Sequence, residues 1–244
     1  MLNINEYLDS TFLKTPSECN LDDSDYVNRI KSFIQESIDC NFKLVMLRID
    51  YVNTAVKMIK KQKSKTLVGT VVDFPFGKAS TSNKIELTKK ALSSKVDDID
   101  CVVDYEGFKK YYHHKTSNFI NKFKNDIYYV SDLVLKEQKT IKWIIETGAL
   151  NKKQIEQIVI IIKDVFYEKL SHYDVSNFFI KTSTGYYKGT GATLEDIKLI
   201  SFLSEGIPVK ASGGIYTKKQ ALKMIDNGSS RIGTSKALDI FLNK

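Results

Sequence analysis

The chain has 244 residues, 42% of them hydrophobic and 27% charged, which is typical of a globular protein. Its 12 glycines and 3 prolines form no flexible linker, so we expect one domain over residues 1–244. The net charge of +8 comes from lysines interleaved with acids, which argues against a nucleic-acid surface and suits a negatively charged ligand. The three cysteines are odd in number and lack metal-type spacing, so they indicate neither a disulfide framework nor a metal site.

The segment Met1–Tyr7 has neither the basic residues nor the apolar stretch of a signal peptide. No run approaches the ~20 apolar residues that span a bilayer. We therefore expect a cytoplasmic protein without a membrane partner.

Strand-like runs alternate with amphipathic helix-like segments along the chain. The predicted strands cover residues 6–10, 42–47, 65–73, 98–103, 139–146, 177–181, 208–211 and 229–233. The predicted helices cover residues 25–38, 51–62, 82–92, 118–137, 152–170, 194–203 and 218–227. This alternation predicts an α/β protein with the (β/α)8 TIM barrel fold. The alternative is an open doubly wound sheet, but no G-x-G-x-x-G motif follows an early strand.

Two lysines stand at the ends of strand-like runs late in the chain. Lys181 ends the run Asn177-Phe-Phe-Ile-Lys181, and Lys210 ends Ile207-Pro-Val-Lys210. In a barrel such positions face the active site, and a lysine withdrawn from water beside a second cation has a lowered pKa. Its neutral amine then attacks carbonyl groups, so the pair predicts a Schiff-base enzyme. The alternative is that each lysine ends a strand and extends to solvent.

Glycine turns follow the last three predicted strands. They are Ser183-Thr-Gly185, Ala211-Ser-Gly-Gly214 and Ile232-Gly-Thr-Ser235. Glycine lets backbone N–H groups approach an anion closely, and barrels often bind phosphate in their late loops. The three turns together predict a phosphate site.

Acidic residues end several other predicted strands. Asp9, Asp73, Asp100 and Glu146 are expected to converge with the lysines at one end of the barrel, where buried charges pair. Glu146 has a second interpretation, which is that it holds a backbone turn. The dipeptide His113-His114 lies in a polar segment and is predicted to be a solvated loop rather than a metal site.

The chain resembles the deoxyribose-phosphate aldolases, a class I (Schiff-base) aldolase family. The resemblance rests on motifs along nearly the whole length: Leu8-Asp-Ser-Thr-Phe-Leu-Lys14, Asp73-Phe-Pro-Phe-Gly77, Asp98-Ile-Asp-Cys-Val-Val103, Ile144-Ile-Glu-Thr-Gly148, Phe179-Ile-Lys-Thr-Ser-Thr-Gly185, Val209-Lys-Ala-Ser-Gly-Gly214 and Ser230-Arg-Ile-Gly-Thr-Ser235. The two lysine motifs are the most specific of these.

The resemblance implies reversible cleavage of 2-deoxy-D-ribose 5-phosphate to D-glyceraldehyde 3-phosphate and acetaldehyde, with no metal or organic cofactor. By motif, Lys181 is the Schiff-base lysine, Lys210 the second lysine that lowers its pKa, and Asp100 the aspartate that moves protons through water. Contacts with the substrate and its phosphate are expected from Asp9, Thr11, Thr182, Gly185, Gly213, Gly214, Gly233 and Ser235. The family commonly forms dimers, so a homodimer is expected.

Some positions depart from the family pattern. Tyr216 stands where many relatives carry an arginine after the Gly-Gly turn, and Lys236 where a second serine is common. We hypothesise that Lys236 or Lys188 supplies the missing positive charge. The terminal residues lack the tyrosine that assists some members.

Two other functions remain open at this point. One is a Schiff-base aldolase for a different phosphorylated sugar, which Tyr216 favours. The other is a non-catalytic phosphate-binding barrel, which predicts ligand binding without a covalent adduct.

Overall fold

Eight parallel strands pair in chain order and close into a barrel, which confirms the predicted (β/α)8 fold. The computed structural model describes residues 2–115, 117–188 and 191–243. The strands are β1 (Leu8–Phe12), β2 (Leu44–Leu47), β3 (Leu67–Val72), β4 (Asp98–Val102), β5 (Thr140–Ile144), β6 (Phe178–Lys181), β7 (Val209–Ser212) and β8 (Ser229–Thr234). The barrel closes where Asp9 of β1 lies opposite Gly233 of β8.

Helices cover the outside of the barrel. They are α1 (Pro16–Cys19), α2 (Asp23–Asp39), α3 (Ile49–Gln62), α4 (Thr81–Ser93), α5 (Tyr105–His114), α6 (Ser117–Lys136), α7 (Lys152–Val165), α8 (Leu194–Leu203), α9 (Lys218–Asp226) and α10 (Ala237–Leu242). The continuous segment predicted over 152–170 is α7 followed by one π-helical turn, Phe166–Leu170. None of these helices, within the ranges described, has the length and apolar content needed to cross a bilayer.

The segment around His113-His114 is the end of helix α5, so the prediction of a loop there was wrong. The Asp104 side chain accepts a hydrogen bond from the Gly107 N–H (2.8 Å) and begins the helix. Tyr105 and Phe108 are buried on its inner face, whereas both histidines are exposed. Tyr105, Phe108 and Tyr111 recur at helical spacing, so a signal for this helix was available in the sequence.

The interior of the barrel is divided into an apolar and a charged half. On the side of β1 to β3, Leu44 and Met46 pack with Leu13 in a small cluster separate from the main core. Gly69 faces the same cluster, since an added Cβ would lie 2.7 Å from Met46 Cε. Charged side chains from β1 and β4 to β8 fill the other half, where most barrels have packed aliphatic layers. This charged half carries the candidate site.

Candidate active site

Lys181 at the end of β6 and Lys210 within β7 lie on neighbouring strands and share one carboxylate. They are register partners in β6 and β7. Lys181 Nζ donates to Asp100 Oδ2 at 2.7 Å, and Lys210 Nζ donates to the same oxygen at 2.8 Å. Because β4, β6 and β7 all point their carboxyl ends toward one face, residues far apart in sequence meet there.

The two lysines differ in their tendency to lose a proton. Burial lowers the pKa of Lys181 to about 8; the Asp100 charge opposes this effect, and the Lys210 charge adds to it. Burial also acts on Lys210, but the Asp100 and Asp9 carboxylates outweigh it and raise the pKa of Lys210 above its ordinary value. Of the two amines, Lys181 is therefore the one that loses its proton more easily, while Lys210 stays charged beside it.

Asp100 remains ionised although it is fully buried. Burial opposes its charge, but Lys181, Lys210 and Lys142 together hold its pKa well below the usual range. Its other oxygen, Oδ1, lies 3.5 Å from Lys142 Nζ and accepts no hydrogen bond from any described residue. Asp100 therefore has one oxygen fixed by the lysine pair and one oxygen available as an acceptor.

Four further charged side chains lie below the lysine pair. Asp9 Oδ2 is 2.6 Å from Lys210 Nζ, and Asp9 Oδ1 accepts from Arg231 Nε at 2.8 Å. Burial opposes ionisation of Asp9, but Arg231 and Lys210 outweigh it and lower its pKa to about 2. Arg231 Nη2 also lies 3.3 Å from Asp98 Oδ2, and Lys142 Nζ donates to that same oxygen.

A cavity of about 410 Å³ opens above Lys181 at the carboxyl ends of the strands. Among the predicted site residues, those that line it are Thr11, Lys181, Gly185, Gly213, Gly214, Gly233 and Ser235. The structure thus brings the Schiff-base candidate and members of all three glycine turns to one cavity. Asp100 and Lys210 lie directly beneath the cavity. Asp100 contacts Lys181, and Lys210 contacts Asp100.

Asp9 and Thr182 do not border this cavity. Asp9 is fully buried between Lys210 and Arg231. The Thr182 hydroxyl donates to the Ser212 carbonyl (3.0 Å) and accepts from the Ser212 N–H (2.9 Å), which joins β6 to β7. Their contact with a substrate remains a prediction, whereas their contacts within the barrel order the two lysine strands.

The turn after β7 has backbone that only glycine adopts without strain. Gly213 and Gly214 have φ of +88° and +75°. Gly191 packs on this turn, since an added Cβ there would lie 2.2 Å from the Gly213 carbonyl oxygen. The turn can therefore present its backbone N–H groups closely to an anion.

Two of the strand-end acids shape loops. Asp73 has φ of +52°, pairs with the buried Lys84, and accepts from the Ala79 N–H at 2.9 Å. Glu146 accepts from both the N–H (3.1 Å) and the hydroxyl (2.5 Å) of Thr184, in the loop after β6. These contacts favour the interpretation that Glu146 holds a turn.

The cations at the cavity are not those that the sequence suggested. Lys236 Nζ lies 3.1 Å from Asp239 Oδ2, and neither Lys236 nor Lys188 lines the cavity. Lys14, after β1, and Arg29, on α2, do line it, and neither forms a salt bridge with any residue of the described ranges. Arg29 was missed because it lies in the middle of a helix, away from every strand end.

The part of the chain that the structure describes contains no group of three or more His, Cys, Asp and Glu side chains arranged to hold a metal ion. The acids near the lysines each face basic side chains instead.

No family model matches the chain. Three curated relatives cover nearly all of it, and each is named deoxyribose-phosphate aldolase. The relative from Mycoplasmopsis pulmonis is 32% identical, with 100% of this chain and 97% of the relative aligned. That from Finegoldia magna is 33% identical (98% and 99%), and that from Caldicellulosiruptor saccharolyticus is 34% identical (97% and 96%).

Solved structures agree with these relatives. An aldolase designated QR15 has a TM-score of 0.77 at 28% identity, with 99% of this chain and 96% of that chain aligned. The tetrameric deoxyribose phosphate aldolase from Aeropyrum pernix, at 20% identity, shares the fold with a TM-score of 0.75, over 98% and 89% of the two chains. The identity to the curated relatives, extending over almost the whole length, shows that this chain belongs to the deoxyribose-phosphate aldolase family.

Proposed function

We propose that the protein is a class I aldolase that reversibly cleaves 2-deoxy-D-ribose 5-phosphate into D-glyceraldehyde 3-phosphate and acetaldehyde. The observation that carries the proposal is the position of Lys181. Its amine lies at the floor of a cavity walled by glycine turns, and it shares Asp100 Oδ2 with the charged Lys210. This arrangement provides a nucleophile and an anion site in one cavity, with a proton acceptor directly beneath the nucleophile.

The reaction begins at the Lys181 amine. With a pKa of about 8, roughly one Lys181 side chain in ten is neutral at pH 7, compared with about one in 3,000 at the ordinary value of 10.5. The neutral amine attacks the C1 aldehyde of the open-chain sugar, and the resulting carbinolamine loses water to give a protonated imine. Lys210 remains charged, and its charge disfavours protonation of the neighbouring Lys181 amine.

Carbon–carbon cleavage then requires a base. Asp100 Oδ1 takes the C3 hydroxyl proton, directly or through a water molecule, as the C2–C3 bond breaks. The bonding electrons move into the protonated imine, which leaves an enamine on Lys181 and releases D-glyceraldehyde 3-phosphate. Protonation of the enamine at C2 and addition of water release acetaldehyde and return the free amine.

The phosphate is proposed to lie at the turns that follow β6, β7 and β8. Gly185, Gly214 and Ser235 line the cavity there. Lys14 and Arg29 border the same cavity and carry the positive charge that a phosphate requires. The positive charge at the phosphate is therefore assigned to Lys14 and Arg29 rather than to Lys236 or Lys188.

Covalent trapping tests the proposal. The protein is treated with acetaldehyde and borohydride, and the product is analysed by intact mass and peptide mapping. Reduction of the imine adds one ethyl group, about 28 Da, and a single adduct at Lys181 that is absent from Lys181→Leu is expected. Labelling of surface lysines alone would exclude the Schiff base, and adduct formation without cleavage of the deoxyribose phosphate would point to another sugar.

The domain organisation and assembly remain proposals. We propose that residues 1–244 form one catalytic domain, since the closed barrel already extends from Leu8 to Thr234. A homodimer is proposed as the assembly, and light scattering on the purified chain distinguishes it from a monomer or a larger oligomer. Binding of nucleic acid is not expected, and a filter-binding assay checks this.

A further inference from the structure

Six of the buried charged side chains form a closed ring inside the barrel. Acids and bases alternate around it in the order Asp100, Lys210, Asp9, Arg231, Asp98, Lys142 and back to Asp100. Five of the six contacts range from 2.5 to 3.5 Å, and all six residues are buried. The remaining contact, between Lys142 and Asp98, is a direct hydrogen bond.

The ring is electrically neutral when all six members are ionised, because it contains three carboxylates and three basic groups. Lys181 is attached to this ring through Asp100 and is the seventh member of the cluster. A protonated Lys181 therefore gives the buried cluster an excess of one positive charge. In a medium of low dielectric constant an uncompensated charge is strongly disfavoured. Loss of one proton, which makes the cluster neutral, is therefore favoured.

We propose that Asp98, Lys142 and Arg231 are positioning residues for the lysine pair, and that by completing the neutral ring they make Lys181 the group that gives up its proton. This inference rests on the proposed function, because only a Schiff-base reaction requires a neutral amine at Lys181. It extends the site by three residues that line neither the cavity nor its mouth.

The three residues have distinct contacts in the ring. Arg231 holds Asp9 through Nε (2.8 Å), and Asp9 in turn holds Lys210 (2.6 Å). Lys142 lies 3.5 Å from Asp100 Oδ1 and faces Asp98 on its other side. Each ring member has two oppositely charged neighbours, so removing any one of the three leaves two buried neighbours short of one counter-charge each. The positions of these neighbours and the net charge of the cluster therefore change together.

Other charged groups face Lys181 less directly. Glu146, two residues after β5, accepts hydrogen bonds from the backbone N–H and the hydroxyl of Thr184 and forms no salt bridge with Lys181. Strands β2 and β3 contribute apolar residues and glycine on this side. Lys14, Glu18 and Arg29 line the outer cavity above Lys181, where they are exposed to solvent and their fields are screened.

Charge-changing substitutions test the inference with opposite signs. Asp98→Asn increases the excess to two positive charges, so Lys181 loses its proton more easily. Arg231→Met removes the excess, so Lys181 holds its proton more tightly. We expect the pH midpoint of Lys181 reactivity to fall by about one unit in the first variant and to rise by about one unit in the second. The double variant Asp98→Asn/Arg231→Met restores the excess of one positive charge and should return the pH midpoint toward that of the unmodified protein.

The readout is the pH dependence of Lys181 ethylation by acetaldehyde and cyanoborohydride, with surface lysines in the same peptide map as internal standards. Lys142→Met carries the same charge change as Arg231→Met and is used if that variant does not fold. Arg231→Lys keeps the charge but not the forked geometry, so it should leave the midpoint in place while lowering kcat.

Opposite shifts that cancel in the double variant would support the inference. Shifts of one sign, or unchanged midpoints in folded variants, would overturn it, since a merely structural layer alters stability without moving the midpoint. An unmodified protein that forms no Lys181 adduct would instead refute the proposed function, so the two failures are distinguishable.

Discussion

Gly233 leaves the space that the Lys210 side chain occupies. A Cβ added at Gly233 would lie 2.9 Å from Lys210 Cε and 3.0 Å from Ser212 Cβ. Its backbone does not lie in the left-handed region, so the absence of a side chain serves packing rather than chain direction. A glycine predicted to approach the substrate therefore also sets the position of the second lysine.

Gly233→Ala should displace Lys210 and weaken catalysis. Because a shift of about 1 Å at a reacting group can reduce rate by about 100-fold, we expect kcat/KM to fall 10- to 100-fold. The rate of Lys181 trapping by acetaldehyde, which carries no phosphate, should fall with it.

Gly214→Ala provides the comparison. No atom lies within 4 Å of an added Cβ there, but φ of +75° strains the turn. This variant should raise KM for the phosphorylated sugar and preserve acetaldehyde trapping. Equal trapping in both variants would show that Gly233 does not position Lys210.

The lysine pair, the glycine turns and the barrel could be predicted from the sequence because each depends on local pattern. The ring was only partly predictable. Asp98 precedes Asp100 by two residues, a spacing that places both on the same face of a strand, and this signal was available. The pairing of Arg231 with Asp9 joins residues 222 positions apart, and only the closure of β1 on β8 brings them together.

Arg29→Met tests the proposed source of positive charge at the phosphate. Arg29 lines the cavity and has no salt-bridge partner within the described ranges. A hydrogen bond to a charged group contributes about 1.5–3 kcal/mol, so KM for 2-deoxyribose 5-phosphate should rise about 10- to 100-fold. Turnover of unphosphorylated 2-deoxyribose should not change.

Lys236→Met is the matched control for Arg29→Met. Lys236 is exposed, pairs with Asp239 at 3.1 Å, and lies outside the cavity. Its loss should change neither KM for 2-deoxyribose 5-phosphate nor the turnover of 2-deoxyribose. A larger effect from Lys236→Met than from Arg29→Met would return the phosphate cation to the position that the sequence suggested.

The pH dependence of the reaction should report Lys181. Its pKa is lowered to about 8, so the reactive neutral amine increases as the pH rises through that value. Below pH 8, kcat/KM for sugar cleavage should fall about tenfold for each pH unit, until another group titrates. A steady-state profile between pH 6 and 10 measures the midpoint, and a value near 10 would mean that burial does not lower the pKa of this lysine.

Lys84 and Asp73 form a buried ion pair outside the cavity, and its loss should affect stability more than chemistry. Lys84 is fully buried, and its Nζ also donates to the carbonyls of Gly77 (3.1 Å) and Val102 (2.9 Å). Removing one partner of a buried pair typically costs about 3–5 kcal/mol, because the other charge stays buried without compensation. Lys84→Met should therefore lower the free energy of unfolding by this amount.

Urea denaturation measures the change for Lys84→Met, with Lys236→Met as an exposed-pair control that should unfold like the unmodified protein. The double variant Lys84→Met/Asp73→Asn removes both charges and should recover part of the loss. Acetaldehyde trapping at Lys181 in the folded Lys84→Met protein should stay within about twofold, since Lys84 contacts the loop after β3 and the last carbonyl of β4 rather than the lysine pair. A trapping rate that falls in proportion to kcat would instead show that the Lys84–Asp73 pair influences the reactivity of Lys181.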